Sequence, residues 1–271
     1  MGSIAAVGST ALQPFVDAAA KAYVARCMGA QIAVRGGGSG TGLLGAQRGQ
    51  ATVEMASVAN IQIGASDIFA EEQRSNVQDT KIVPTQLTDF QVVVQGFAVV
   101  VNPRNPVVSL TQEQLIRIFT GQVTNFRDVG GPDSAISVVN RAAGSGTRST
   151  FERYALRGQA ASGGREVDGS GDVAKAVSDN AGAISYLALT YLVSNPNLKT
   201  VLFNGRDPSV ENMSDDSYPI WSYGHLYTNR MPAGLTQSFL DYLLSDDVQT
   251  TLVPQLGYIP VSRVKARKTP V

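Results

Sequence analysis

Short apolar runs with a two-residue alternation give way, along this chain, to apolar residues three and four apart, and glycine- and hydroxyl-rich segments stand where the period changes. Residues 4–7 read as a buried strand, and Gly8, Ser9 and Thr10 form a turn able to cap the helix behind it. Leu12, Phe15, Val16, Ala19, Ala20, Tyr23 and Val24 mark that helix's apolar face, with Pro14 admissible in its first turn. The same grammar repeats at residues 31–35, an alternating strand, after which Gly36-Gly37-Gly38-Ser39-Gly40-Thr41-Gly42 leads to Leu43 and Leu44. Residues 47–59 are expected to be helical, 61–67 to be a strand ending in the polar tip Asp67, and 68–75 to be a further helical segment.

The longest β-rich run covers residues 88–102, interrupted by Gly96 and stopped by Pro103 and Pro106; it is long enough to cross from one lobe to another. Thr111 and Gln114 make a capping-box pattern before the buried face Leu115, Ile118 and Phe119. A strand at 136–140 delivers the chain to Arg141-Ala142-Ala143-Gly144-Ser145-Gly146-Thr147, and Phe151, Tyr154, Ala155 and Gln159 continue as a helix toward Gly163 and Gly164. Gly169-Ser170-Gly171-Asp172 opens another helix; its acid suits the helix dipole, and this turn is assigned no ligand. Strands follow at 183–187 and 200–203, a second crossing segment at Tyr218-Pro219-Ile220-Trp221-Ser222-Tyr223, and a helix at 236–244. The basic end, Arg263, Lys265, Arg267 and Lys268, is expected to be solvated. Strands alternating with helices predict an α/β architecture, in which ligands gather at loops beyond the strand carboxyl ends.

The chain of 271 residues carries 22 basic and 22 acidic side chains, so no global field favours a nucleic acid or an anionic membrane, and any anion binding must be local. The single cysteine, Cys27, precludes an intramolecular disulfide and is expected to be a buried helical thiol. The single histidine, His225, argues against a histidine-based metal site and against a Ser-His-Asp triad; no metal and no cofactor are expected. The apolar run at 92–101 is too short to span a bilayer and is broken by Gln95 and Gly96. Met1-Gly2-Ser3 running straight into a strand suggests a removed signal or lipid anchor outside this sequence.

Arg141, small hydroxyls and flexible glycines before a helix start have the chemistry of an oxyanion cradle, although the same residues also make ordinary strand-to-helix turns. Three such loops at equivalent positions shift the balance toward an anion. The 144–148 segment lacks the spacing and lysine of an NTPase phosphate loop, the 36–42 run lacks the acid of a dinucleotide fingerprint, and neither Ser39 nor Ser145 stands in G-x-S-x-G, because Thr41 and Thr147 take the last glycine position. Asp67 beside such a cradle would repel a fully ionised ligand but accept a proton from one that still carries hydrogen; by residue type alone it reads more readily as a helix N-cap.

Gly8-Ser9-Thr10, the 36–42 run, Ile63-Gly64-Ala65-Ser66-Asp67, Phe119-Thr120-Gly121-Gln122-Val123-Thr124-Asn125, Arg141 to Thr147 and Tyr218-Pro219-Ile220-Trp221 together resemble, in order and over nearly the whole chain, the periplasmic-type phosphate-binding proteins of bacterial phosphate import. The resemblance implies a two-lobed class II periplasmic-binding-protein-like fold: two mixed, mostly parallel sheets joined by two hinge strands, with residues 1–93 and 226–271 in one lobe and 94–225 in the other. It further implies a monomeric extracytoplasmic protein, periplasmic or lipid-anchored, that closes over inorganic phosphate and hands it to a membrane ABC permease. By the same resemblance the Thr10 hydroxyl, the Ala11 amide, Ser39, Asp67, Arg141, Ser145, Gly146 and Thr147 surround the ion. Sulfate has the same shape but no proton near neutral pH, so it would oppose Asp67 acceptor to acceptor. The stretch between Gly42 and Ile63 departs from the family's spacing, residues 48–56 looking inserted. Two other readings stay open: a binder of another tetrahedral oxyanion, and a phosphate-ester hydrolase or acyl-transfer enzyme using Ser39 or Ser145.

Overall fold

The computed structural model describes residues 2–48, 61–70, 82–193, 195–229 and 231–269. Their strands are β1 (Gly2–Gly8), β2 (Ala30–Gly36), β3 (Ile61–Ser66), β4 (Thr88–Val101), β5 (Ser109–Leu110), β6 (Ser137–Arg141), β7 (Arg165–Val167), β8 (Ala183–Ala188), β9 (Lys199–Phe203) and β10 (Trp221–Thr228). They hydrogen-bond in the order β2-β1-β3-β10-β4-β8-β6-β7, with β9 also on β4 and β5 on β9. The sheet is mixed for a definite reason. Pairs among β1, β2 and β3, and among β6, β7 and β8, are parallel, a pairing that requires crossover connections between the strands, whereas the pairings made by β10, and those of β4 with β8, β9 and β10, are antiparallel.

β4 unites the two halves. Its residues 88–96 pair with β10, and from Phe97 onward it pairs instead with β8 and β9. Gly96 stands at that change of partners, where a Cβ would lie 2.7 Å from Leu189 Cδ1 and 2.9 Å from Met213 Sδ. Every residue from Val92 to Val101 is buried, as expected for a strand covered on both faces. Tyr218 to Ile220 lead the chain back toward the first half, Phe97 N–H bonding Ile220 O at 2.9 Å before β10 begins.

Helices α1 (Gln13–Arg26), α2 (Ser39–Arg48), α3 (Gln112–Phe119), α4 (Gly146–Ala155), α5 (Ser170–Asp179), α6 (Val210–Ser214), α7 (Gly234–Leu243) and α8 (Val253–Gln255) cover this framework. In the first half, Phe15, Val16, Ala19 and Tyr23 of α1 share one core with Ile63, Val92, Leu226, Phe239 and Leu243, while Leu43 and Ala46 of α2 cluster on their own with Ile82 and Tyr227. In the second, Leu115, Ile118 and Phe119 of α3 meet Phe97, Phe151, Tyr186 and Trp221, and Val173 and Val177 of α5 join Val100, Val139 and Leu187 in a separate cluster. The capping box at Thr111 forms as the spacing predicts, Thr111 Oγ1 accepting from Gln114 N–H and Gln114 Oε1 from Thr111 N–H.

Several local expectations are revised. Cys27 is exposed, not a buried helical thiol, because α1 stops at Arg26 and the backbone of Cys27 has already left helical geometry. The α4 helix ends at Ala155 and leaves Gln159 in an exposed loop, since Arg157 and Gly158 both take positive φ (52° and 79°). Ser39, Gly40 and Thr41 belong to the first turn of α2 rather than to a loop before it. The basic end is only partly solvated: Lys268 Nζ lies 3.2 Å from the centroid of the Tyr154 ring and 4.4 Å from that of Trp221, and donates to the carbonyls of Pro219 (2.6 Å) and Trp221 (2.7 Å). The helical expectations beyond residue 48 and beyond residue 70, and all of the apparent insertion at 48–56 except Arg48, lie outside the described residues.

Candidate functional site

The first half contributes three loops. After β1, Ser9 Oγ accepts the Ala11 and Leu12 amides, both at 3.1 Å, and donates to Asp67 Oδ1. At the start of α2, Ser39 Oγ accepts from the Asp67 amide at 3.0 Å. Asp67 itself follows β3 and is 2% exposed. Its Oδ1 also receives the Gln95 Nε2 hydrogen at 3.1 Å, and its Oδ2 receives the Thr147 hydroxyl at 2.9 Å, so donors from three further elements aim at one carboxylate.

From the second half, β6 ends in Arg141, which is 1% exposed. Asn140 holds the strand end, donating to Ala161 O at 2.5 Å and accepting from the Arg141 amide at 2.9 Å. The guanidinium donates through Nη1 to Ser170 Oγ at 3.0 Å and through Nη2 to Asp168 O at 2.8 Å, and its Nε has no partner among the described residues. Burial lowers the Arg141 pKa, with the charge of Asp67 acting the other way. Ser145 caps α4 by accepting the Arg148 amide at 3.3 Å, which sets Gly146 and Thr147 in the first turn, where backbone N–H groups have no helical partner. A Cβ on Gly146 would strike Ser39 Oγ and lie 2.9 Å from Asp67 Cβ; only glycine lets this helix start approach that closely.

The halves touch across these loops. Gly40 N–H bonds Gly144 O at 3.1 Å, Ser170 N–H bonds Thr10 Oγ1 at 3.1 Å, and the Tyr191 hydroxyl donates to Thr10 O at 2.7 Å. The amino ends of α1, α2, α4 and α5 all meet this cluster, each with a partial positive charge, beside one arginine and one buried carboxylate. Donors in excess around a single acceptor suit an anion that retains a hydrogen.

A family model described as a PBP superfamily domain matches residues 1–247. The chain belongs to the PBP superfamily. Within that superfamily it is 40% identical over 267 residues to the phosphate-binding protein PstS of Bacillus subtilis (strain 168), the match covering 98% of this chain and 83% of the relative. A crystal structure from Clostridium perfringens, described as a phosphate ABC transporter substrate-binding protein with bound phosphate, superposes with a TM-score of 0.81 at 27% identity over 96% of this chain and 100% of that one. An ABC-type phosphate transport receptor from Vibrio cholerae gives a TM-score of 0.68 at 28% identity, over 94% and 99% of the two chains.

In this PBP-superfamily chain, Ser39, Asp67, Gly146 and Thr147 are linked by direct contacts, and Thr10 and Arg141 are joined through Ser170. Ala11 adjoins them through its amide on Ser9 Oγ, and Ser145 through its cap of α4. Among the described residues the Asp67 side chain caps no helix; both oxygens face the cluster. Sequence reasoning missed Ser9, Gln95 and Ser170. Gln95 had a signal, being the one amide inside the apolar run Val92 to Val101. Ser170 had one too: its loop repeats the strand–Gly/Ser–helix grammar of the other three, but its acid reads as suiting the helix dipole, and the turn is assigned no ligand; Asp172 in fact also accepts the Gly169 amide at 3.0 Å.

Proposed function

We infer that this protein is an extracytoplasmic solute-binding protein that captures inorganic phosphate between its two lobes and delivers it to an ABC permease. The observation that carries the reading is the buried pair of opposite roles: Asp67 as acceptor on one side, Arg141 and four helix starts as donors around it. The membership of the chain among proteins named for phosphate binding supports it. In this reading Thr10, Ala11, Ser39, Arg141, Ser145, Gly146 and Thr147 donate to the phosphate oxygens, and Asp67 accepts the proton that phosphate carries near neutral pH. The lobes comprise residues 1–93 with 226–271, and 94–225, and the protein acts as a monomer with no nucleic-acid partner. Among the described residues no helix is long and apolar enough to cross a membrane.

An enzymatic use of Ser39 or Ser145 finds no support in the geometry. His225 is buried with Nδ1 on Asp89 at 2.9 Å, and among the described residues no serine is hydrogen-bonded to it. Equilibrium titration with inorganic phosphate and with sulfate, alongside a phosphatase assay on the same preparation, tests the reading. Tight phosphate binding, weak sulfate binding and no hydrolysis are expected; equal affinity for the two ions, or turnover of a phosphate ester, would overturn it.

A further inference from the structure

Ser170 is fully buried at the start of α5 and joins three elements. Its Oγ accepts from Arg141 Nη1 at 3.0 Å and stands 3.1 Å from Thr10 Oγ1, while its backbone N–H donates to that same Thr10 oxygen at 3.1 Å. Two of these bonds have a fixed direction. A guanidinium has donors only, so the Arg141 bond must run toward Ser170, and a backbone N–H can only give to Thr10. The direction of the remaining hydroxyl–hydroxyl bond is open until a ligand enters. The unprotonated anion oxygen that faces Thr10 can only accept; it selects the arrangement in which the Ser170 hydrogen goes to Thr10 Oγ1. Both lone pairs of Thr10 are then filled, and its own hydrogen is left to point onward.

We propose that Ser170 is a positioning residue that relays polarity from Arg141 to Thr10, so that the Thr10 hydroxyl is presented to the bound anion as a donor. The proposal rests on the phosphate reading above and deepens it. Hydrogen bonds in such a chain polarise one another, and the effect is stronger in a buried site than in water. Thr10 belongs to the loop after β1 and Ser170 to α5, so the relay exists only while the two halves are together. Its loss should therefore speed phosphate release more than it slows capture.

The test is a double-mutant cycle with Ser170→Ala and Thr10→Val, measured with inorganic phosphate by stopped-flow and equilibrium binding on proteins whose folding is checked by circular dichroism. Ser170→Ala alone should weaken binding about tenfold, chiefly through the dissociation rate, and by less than about threefold when Thr10 is already valine. A hydroxyl that only fills space would leave no such coupling. Unchanged binding in Ser170→Ala, or losses that multiply in the double variant, overturn the relay. Should Ser170→Ala not fold, Ser170→Gly keeps the helix-start amide and replaces it in the cycle. Absence of phosphate binding by the unaltered protein would instead overturn the phosphate reading itself.

Discussion

At the scale of single residues, the site depends on how few hydrogens Asp67 can still accept. Ser9 and Gln95 occupy Oδ1, so Oδ2 is the oxygen left to share between Thr147 and a ligand proton. Asp67→Asn replaces an acceptor with a donor at that point and should narrow the preference for phosphate over sulfate, as competition binding would show; unchanged selectivity would take the carboxylate out of ion discrimination. Arg141→Ala removes a bond between charged groups from a buried site and should cost about 1.5–3 kcal/mol of phosphate affinity by calorimetry. Residue type marked Arg141 as an anion ligand, while Asp67 needed the order of the motifs along the chain to read as more than a cap. Ser170 and Gln95 left traces in the sequence but no role, because a buried serine or amide matters only through the neighbours that the fold brings to it.

Elements were more legible, because periodicity reports burial. The α1 face, the Thr111 capping box and the buried β4 run were readable since each is decided by residues a few positions apart. The ends of α1 and α4 were not, being set by backbone geometry at Cys27 and Arg157 that composition does not encode. Close approach is another property of elements. A Cβ on Gly42 would collide with Ala65 O and lie 2.8 Å from Val7 O, so α2 lies directly on the backbones of β1 and β3. Gly42→Ala should destabilise the protein by about 1–3 kcal/mol, the usual cost of overpacking, read from denaturant unfolding, and should also displace Ser39 from the Asp67 amide.

At the scale of the molecule, the last residues tie the halves together. Ile259 exchanges backbone hydrogen bonds with Val94 at 2.8 and 3.0 Å, the Lys265 amide reaches Ser214 Oγ at 3.0 Å, and Lys268 sits against Tyr154 of α4 and the carbonyls entering β10. Lys268→Met keeps the stem and removes the charge; it should lower stability by about 0.5–2 kcal/mol in denaturant unfolding. Small-angle scattering should show a more compact particle with phosphate than without, and identical profiles would mean that the lobes do not close.

The position of β10 bears on how the chain is made. It lies between β3 and β4, yet of the ten described strands it is the last to leave the ribosome. A nascent chain that has emerged through residue 220 already holds β4, β6, β7, β8 and β9, enough to complete the sheet of its second half. Its first half at that moment has two open strand edges, on β3 and on the amino-terminal part of β4, both waiting for residues 221–228. Synthesis therefore finishes the middle of the protein before its beginning, and the span between those two events is when the chain is most exposed to mispairing.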